Sequence, residues 1–305
     1  MTKYDLNAFK GIIPAMNAVY DENGIINSTV IKQLARHYAE VGVQGLYLAG
    51  STGEGPLQSV EERKQVLEAV VEEVGNEITI IAHIGAPSTQ DSVELARHAA
   101  ETGAHAISAV PCIYYRLNDN TVERHWQAII DSTDLPFIAY HIPATTGYHL
   151  SKQLLRKLAA QDKVIGVKIT TESAYELQQF KQIGGENFIL FNGPDEQFLA
   201  GRTMGAEAGI GGTYGIMPEL FLKIDQCFNA GNMKEAQKWQ FIVNDIITEL
   251  LSTSSLYGAC KEMLRLRGFE TGLPRMPLPQ LRTDELPKVS QLNDKIIEYI
   301  KQSHS

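Results

Sequence analysis

Four places in the sequence carry side chains whose type and position could do chemistry. The apolar run Val164-Ile165-Gly166-Val167 ends in Lys168, a charged residue closing a strand-like segment. Burying an ammonium group is costly and favours the neutral amine, which can attack a carbonyl and form an imine. A lysine that snorkels to water is the alternative. The run Pro136-Phe137-Ile138-Ala139 ends in Tyr140, followed by His141-Ile142-Pro143. Beside an imine a phenol can pass protons, whereas most strand-end tyrosines pack and donate one hydrogen bond.

The third place is the small-residue loop from Ala49 to Gly55, which contains Ser51 and Thr52. Its free N–H groups and two hydroxyls suit a carboxylate or a phosphate, although such strings are also ordinary turns. The fourth is Asn192-Gly193-Pro194-Asp195-Glu196, where adjacent carboxylates could accept from the hydroxyls of a sugar-like substrate or simply favour a helix start. Tyr114 and Tyr115 follow a further strand and could line the same mouth or pack at a subunit contact. His83 and His141 lie near strand ends, but no HExxH or similar cluster occurs, so no metal and no cofactor are expected.

Short β-branched runs that alternate with amphipathic segments must position these residues. Strands are expected at Gly11 to Val19, Gly45 to Leu48, Ile78 to Ile84, His105 to Val110, Pro136 to Tyr140, Val164 to Lys168, Phe188 to Phe191 and Ala208 to Ile210. Helix starts are marked by Asn27-Ser28-Thr29, by Ser59 with Glu61 and Glu62, and by Ser88 and Ser151; Gly42 and Gly75 close the first two helices. Eight βα units close most naturally into a (β/α)8 TIM barrel, with chemistry at the C-terminal ends of the strands. No GxGxxG follows the first strand, and GIGGTYG at 209 to 215 has the wrong spacing for a dinucleotide fold. The barrel is assigned to residues 1–230. A C-terminal helical extension, 231–305, packs on it as part of a single structural unit, with helices near 232 to 251, 255 to 267 and 288 to 302. Ile246, Leu250 and Leu251 could cover the barrel or a neighbouring subunit.

The 305 residues, 44% hydrophobic and 21% charged, suffice for one such barrel with its core. A net charge of -9 without a basic run argues against a nucleic-acid surface. No stretch reaches membrane-spanning length and the N-terminus lacks the apolar run of a signal, which makes the cytoplasm the default compartment. Cys112, Cys227 and Cys260 are far apart and read as reduced and mostly packing, with a reactive role conceivable for Cys112 alone.

Taken together, GSTGE at 50 to 54, Tyr140-His-Ile-Pro and Gly166-Val167-Lys168 make the chain resemble the N-acetylneuraminate lyase and dihydrodipicolinate synthase family over nearly its whole length. The resemblance implies pyruvate bound as an imine on Lys168, its carboxylate held by Ser51 and Thr52, and Tyr140 as proton carrier. Tyr114 matches a tyrosine of the hydroxyl network to which a neighbouring subunit often contributes, and the common assembly is a homotetramer. Dihydrodipicolinate synthases carry an arginine where this chain has Thr145, which counts against that activity. In the lyase branch the residues matching Asp195 and Glu196 bind the polyol tail of sialic acid, and Thr170, Gly193 and Gly212 fall at binding positions. The reaction implied is reversible cleavage of N-acetylneuraminate to N-acetylmannosamine and pyruvate. His141, Thr145, Gly212 and Gly215 depart from the lyase pattern, which keeps an aldolase for another 2-keto-3-deoxy sugar acid as an alternative. A pyruvate- or sugar-acid-binding protein without catalysis is a second.

Overall fold

The computed structural model describes residues 3–304. Eight parallel strands form one sheet: β1 (Gly11–Pro14), β2 (Gly45–Leu48), β3 (Thr79–His83), β4 (Ala106–Ala109), β5 (Phe137–His141), β6 (Val164–Ile169), β7 (Ile189–Asn192) and β8 (Ala208–Gly211). The order runs β1-β8-β7-β6-β5-β4-β3-β2. A bridge between Ala15 and Tyr47 joins the two ends, with Met16 N–H donating to Tyr47 O at 3.0 Å, so the sheet closes into a barrel.

The expected first strand was five residues too long, because the chain changes partner just beyond Pro14. Ala15 N–H still donates to Gly211 O of β8, whereas Met16 donates to β2 and Ala18 to Thr52 O. Segment 15–19 is therefore the seam of the barrel and not the continuation of a strand. The other bounds agree with expectation to within a residue or so.

The helical sheath follows its sequence signals. Asn27 accepts from Val30 N–H at the start of helix Ser28–Val41, and Gly42 ends that helix in the left-handed region at φ +89°. Ser59 and Glu62 form a reciprocal capping box on helix Val60–Val74. Ser88 and Ser151 cap helices Thr89–Thr102 and Lys152–Ala159. Beyond the barrel, helices Met233–Leu251, Leu256–Leu266 and Leu286–Ser303 pack inward through residues such as Ile246 and Leu250, while Leu251 faces solvent.

Two apolar cores result. Ile13, Tyr47, Ile81, Ala106, Ile138, Tyr140, Ile165, Ile189, Phe191 and Ile210 fill the barrel interior. A larger core between strands and helices takes the alternate strand positions, among them Val164, Val167 and Ile169.

That alternation breaks once, at β6. Phe137 pairs with Val164 but Ile138 pairs with Gly166, so Ile165 is an extra residue opposite β5. The bulge resets the phase of the strand: Ile165 belongs to the interior core, yet Val167 and Ile169 belong to the outer one, which leaves Lys168 on the inner face beside Tyr140. In an unbulged strand with Ile165 inward, Lys168 would point at the sheath. Gly166 has no space for a side chain, since a Cβ there would lie 2.4 Å from Ile189 O and 3.0 Å from the Phe191 ring.

Candidate active site

Lys168 is 5% exposed, and its Nζ lies 4.1 Å from the centroid of the Tyr140 ring and 4.6 Å from that of Tyr47. Among the described residues it has no ion-pair or hydrogen-bond partner. Two aromatic faces are a weak substitute for a carboxylate. Tyr140 faces Lys168 across the β5–β6 pairing, with its ring edge-on to Tyr47 and His83.

Tyr47 is part of this cluster although the sequence reading gave it no role. Its hydroxyl donates to Ser108 Oγ at 3.0 Å, and burial pushes its phenol well above the usual range. The signal was present: Tyr47 lies in β2 one step from Leu48, on the face that alternation turns inward. His83 is buried with Nδ1 3.0 Å from Ala49 O, and burial lowers its imidazole to about 3, so it is neutral at physiological pH. Burial likewise brings His141 down to about 4 against the opposing pull of Glu176, 3.7 Å away.

Two residues beyond Lys168 on the same chain, Thr170 opens the wall of a cavity of about 840 Å³. Thr52, Gly193, Asp195, Glu196 and Gly212 line it as well, so six of the expected binding residues meet around one space. Thr170 Oγ1 is buried and finds no hydrogen-bond partner among the described residues. Asp195 and Glu196 begin a short 3-10 helix, and neither side chain caps it. Asp195 is buried and accepts from both the N–H and the hydroxyl of Thr213, each at 2.6 Å. Burial raises its carboxyl to about 6, with the Thr213 hydrogen bonds and the Lys168 charge acting in the opposite direction. Glu196 is exposed at the rim.

Gly212 packs directly on Thr52: a Cβ would stand 2.7 Å from Thr52 Oγ1. A side chain there requires the threonine to move. Gly193 has a similar relation to Thr170, whose Oγ1 would be 2.1 Å from a Cβ.

Two expected residues fall elsewhere. Ser51 is exposed and borders a second cavity of about 330 Å³, shared with Arg63, His83 and Thr145. Tyr114 is 92% exposed at φ +82°, stacked edge-on against Tyr115, and does not reach Lys168 within the chain. Conversely, Leu256, Tyr257 and Cys260 of the C-terminal helix Leu256–Leu266 line the large cavity. Burial pushes both the Tyr257 phenol and the Cys260 thiol up to about 12, so both are protonated. Cys112 is half-buried and burial raises its thiol too, which leaves it without the depressed pKa of a reactive cysteine. Among the described residues no group of three or more His, Cys, Asp or Glu is placed to hold a metal ion, and no helix is long and apolar enough to cross a membrane.

A parallel barrel with an unpaired lysine inside its wall, a tyrosine on the next strand and a polar cavity at the strand ends defines an aldolase-like TIM barrel. The Dihydrodipicolinate synthetase family model matches residues 8–296, and the chain belongs to that family. An N-acetylneuraminate lyase of Mediterraneibacter gnavus is 42% identical over 97% of this chain and 95% of its own. A catalytic-lysine mutant of the Ruminococcus gnavus sialic acid aldolase superposes with a TM-score of 0.96 at 41% identity, covering 98% of this chain and 99% of that one. A Clostridium difficile protein solved in complex with mannosamine reaches 0.91 at 32% identity, covering 94% and 99%.

Proposed function

We propose that the protein cleaves N-acetylneuraminate reversibly to N-acetylmannosamine and pyruvate through an imine on Lys168. The observation that carries this reading is the unpaired Lys168 amine inside the barrel, 4.1 Å from the Tyr140 ring and two residues before Thr170, which lines a cavity of hydroxyls and carboxylates. The names borne by relatives that match nearly the whole chain support the choice of substrate.

The chemistry follows from these positions. The Lys168 amine adds to the C2 carbonyl of the open-chain sugar acid and water leaves, giving an iminium. Tyr140 removes the proton of the C4 hydroxyl while the C3–C4 bond breaks, and the bonding pair flows into the iminium to give an enamine. The aldehyde product departs. The enamine is protonated at C3, and water taken up at C2 releases pyruvate and the free amine. Thr52, with the N–H groups of the loop that carries Ser51, binds the carboxylate of the keto acid. Thr170, Asp195 and Glu196 receive the polyol tail, and Gly193 and Gly212 leave room for it. Asp195 offers the tail its Oδ1, since Thr213 occupies Oδ2.

Tyr114 points away from its own barrel, so its part in the hydroxyl network requires a neighbouring copy in a homotetramer. The compartment proposed is the cytoplasm. Borohydride reduction with pyruvate, followed by peptide mass spectrometry, is expected to give an adduct on Lys168, together with release of N-acetylmannosamine from N-acetylneuraminate in an untreated sample. No adduct would remove the imine; an adduct without cleavage would move the reading to a different 2-keto-3-deoxy sugar acid.

A further inference from the structure

The loop that carries Ser51 and Thr52 is bent through two non-glycine residues in the left-handed region, Ala49 and Glu54, both at φ +53°. Such backbone is held only where its surroundings over-determine it. Glu54 shows how. It is 1% exposed, its Oε1 lies 2.9 Å from Nζ of Lys261, and its Oε2 accepts from the N–H of Arg275 at 2.8 Å. Both partners come from the C-terminal segment, more than two hundred residues away in sequence.

Those partners are themselves fixed. Lys261 is 2% exposed, donates to Leu273 O at 3.0 Å and lies 4.5 Å from the centroid of Tyr20. The Arg275 guanidinium covers the same ring at 4.4 Å, grips Glu62 with two nitrogens at 2.7 and 2.9 Å, and donates to Leu57 O. Gln58 closes the inner side, donating to Gly53 O and Tyr20 OH. Within the loop, Glu54 N–H donates to Ser51 O and Gly55 N–H to Gly50 O, so the bend at Glu54 sets where Ser51 and Thr52 stand.

We propose that Glu54, Lys261 and Arg275 are positioning residues, a clamp by which the C-terminal segment fixes the Ser51–Thr52 loop for the carboxylate of a 2-oxo acid. The inference rests on the aldolase reading for its ligand. The clamp touches neither substrate nor Lys168; it acts through loop shape, and its loss weakens binding of the keto-acid half in preference to slowing the bond-breaking step.

Lys261→Met tests it, with the double variant Glu54→Gln/Lys261→Met as the companion, because the latter leaves no unpaired buried charge and is the variant expected to fold normally. In the folded double variant, the pyruvate concentration that half-saturates borohydride trapping on Lys168 is expected to rise at least fivefold, with kcat for N-acetylneuraminate cleavage within threefold of the parent. Amide exchange at Glu54 and Gly55 is expected to quicken at least tenfold. Unchanged half-saturation in a folded variant overturns the proposal, whatever happens to thermal stability, and so does unchanged exchange at those amides. Should the parent protein trap no pyruvate, the aldolase reading fails by itself, and the exchange measurement still decides whether the clamp exists.

Discussion

Two lysines are buried in this molecule to nearly the same depth, Lys168 at 5% and Lys261 at 2% exposure, and their surroundings differ in almost every other respect. Lys261 has a carboxylate at 2.9 Å, a carbonyl at 3.0 Å and an aromatic face. Lys168 has aromatic faces alone. Burial lowers the affinity of the Lys261 amine for its proton, and Glu54 opposes that shift. A paired ammonium is a structural cross-link whose loss leaves the partner stranded; an unpaired one is a group kept for reaction. Depth of burial therefore says little about a lysine until its counter-charge is known.

The largest effect that could break this contrast is on turnover. Lys168→Met is expected to reduce cleavage of N-acetylneuraminate by at least about 10⁴-fold, since no other amine can take over the imine, while the melting temperature stays within a few degrees of the parent. Measurable turnover in the variant would show that the unpaired lysine is not the nucleophile. Tyr140→Phe comes next. Losing the acid–base group is expected to slow cleavage by about 10²- to 10⁴-fold, yet pyruvate should still be trapped on Lys168. A variant that loses trapping as well would make Tyr140 part of imine formation itself. Lys261→Met inverts the pattern, because Glu54 is left buried without its partner. A stability loss of about 3–5 kcal/mol is expected by denaturant titration, and a loss under 1 kcal/mol would mean that the two lysines are less different than their partners suggest.

Both lysines stood in plain sight in the sequence, but only one could be read. Lys168 was legible because a charge closing the apolar run Val164–Val167 is conspicuous, and Tyr140 because its strand has the same form. Even so, the inward direction of Lys168 depends on the bulge at Ile165, and the bulge depends on how β6 pairs with β5, which no local pattern encodes. Strand and helix positions were legible where capping residues such as Ser59 and β-branched runs mark them. The end of β1 was not, because Ala15 to Val19 continue the same apolar composition while the chain crosses from β8 to β2. Thr52 and Asp195 were singled out by residue type and Thr170 only by the family resemblance. Tyr257 and Cys260 were missed because a helix-forming sequence does not show which end of the barrel it will cover, and the Glu54–Lys261 pair was missed for the same reason.

Asp195 is a further buried charge, one that lines the cavity and feels the charge of Lys168. Its carboxyl is raised by burial from the ordinary 3.8 to about 6, so the folded protein holds a proton that the unfolded chain releases between those values. Stability contributed by this group is therefore present below about pH 4, falls as the pH rises through about 6, and is flat above. By linkage the fall is on the order of 3 kcal/mol. Asp195→Asn cannot titrate, so the difference in unfolding free energy between parent and variant should change across pH 4 to 6 and stay constant at higher pH. The Lys168 charge opposes the upward shift of Asp195. In Lys168→Met that opposition is gone, and the descent should move to higher pH. If the profile does not move, no Lys168 charge was acting on Asp195.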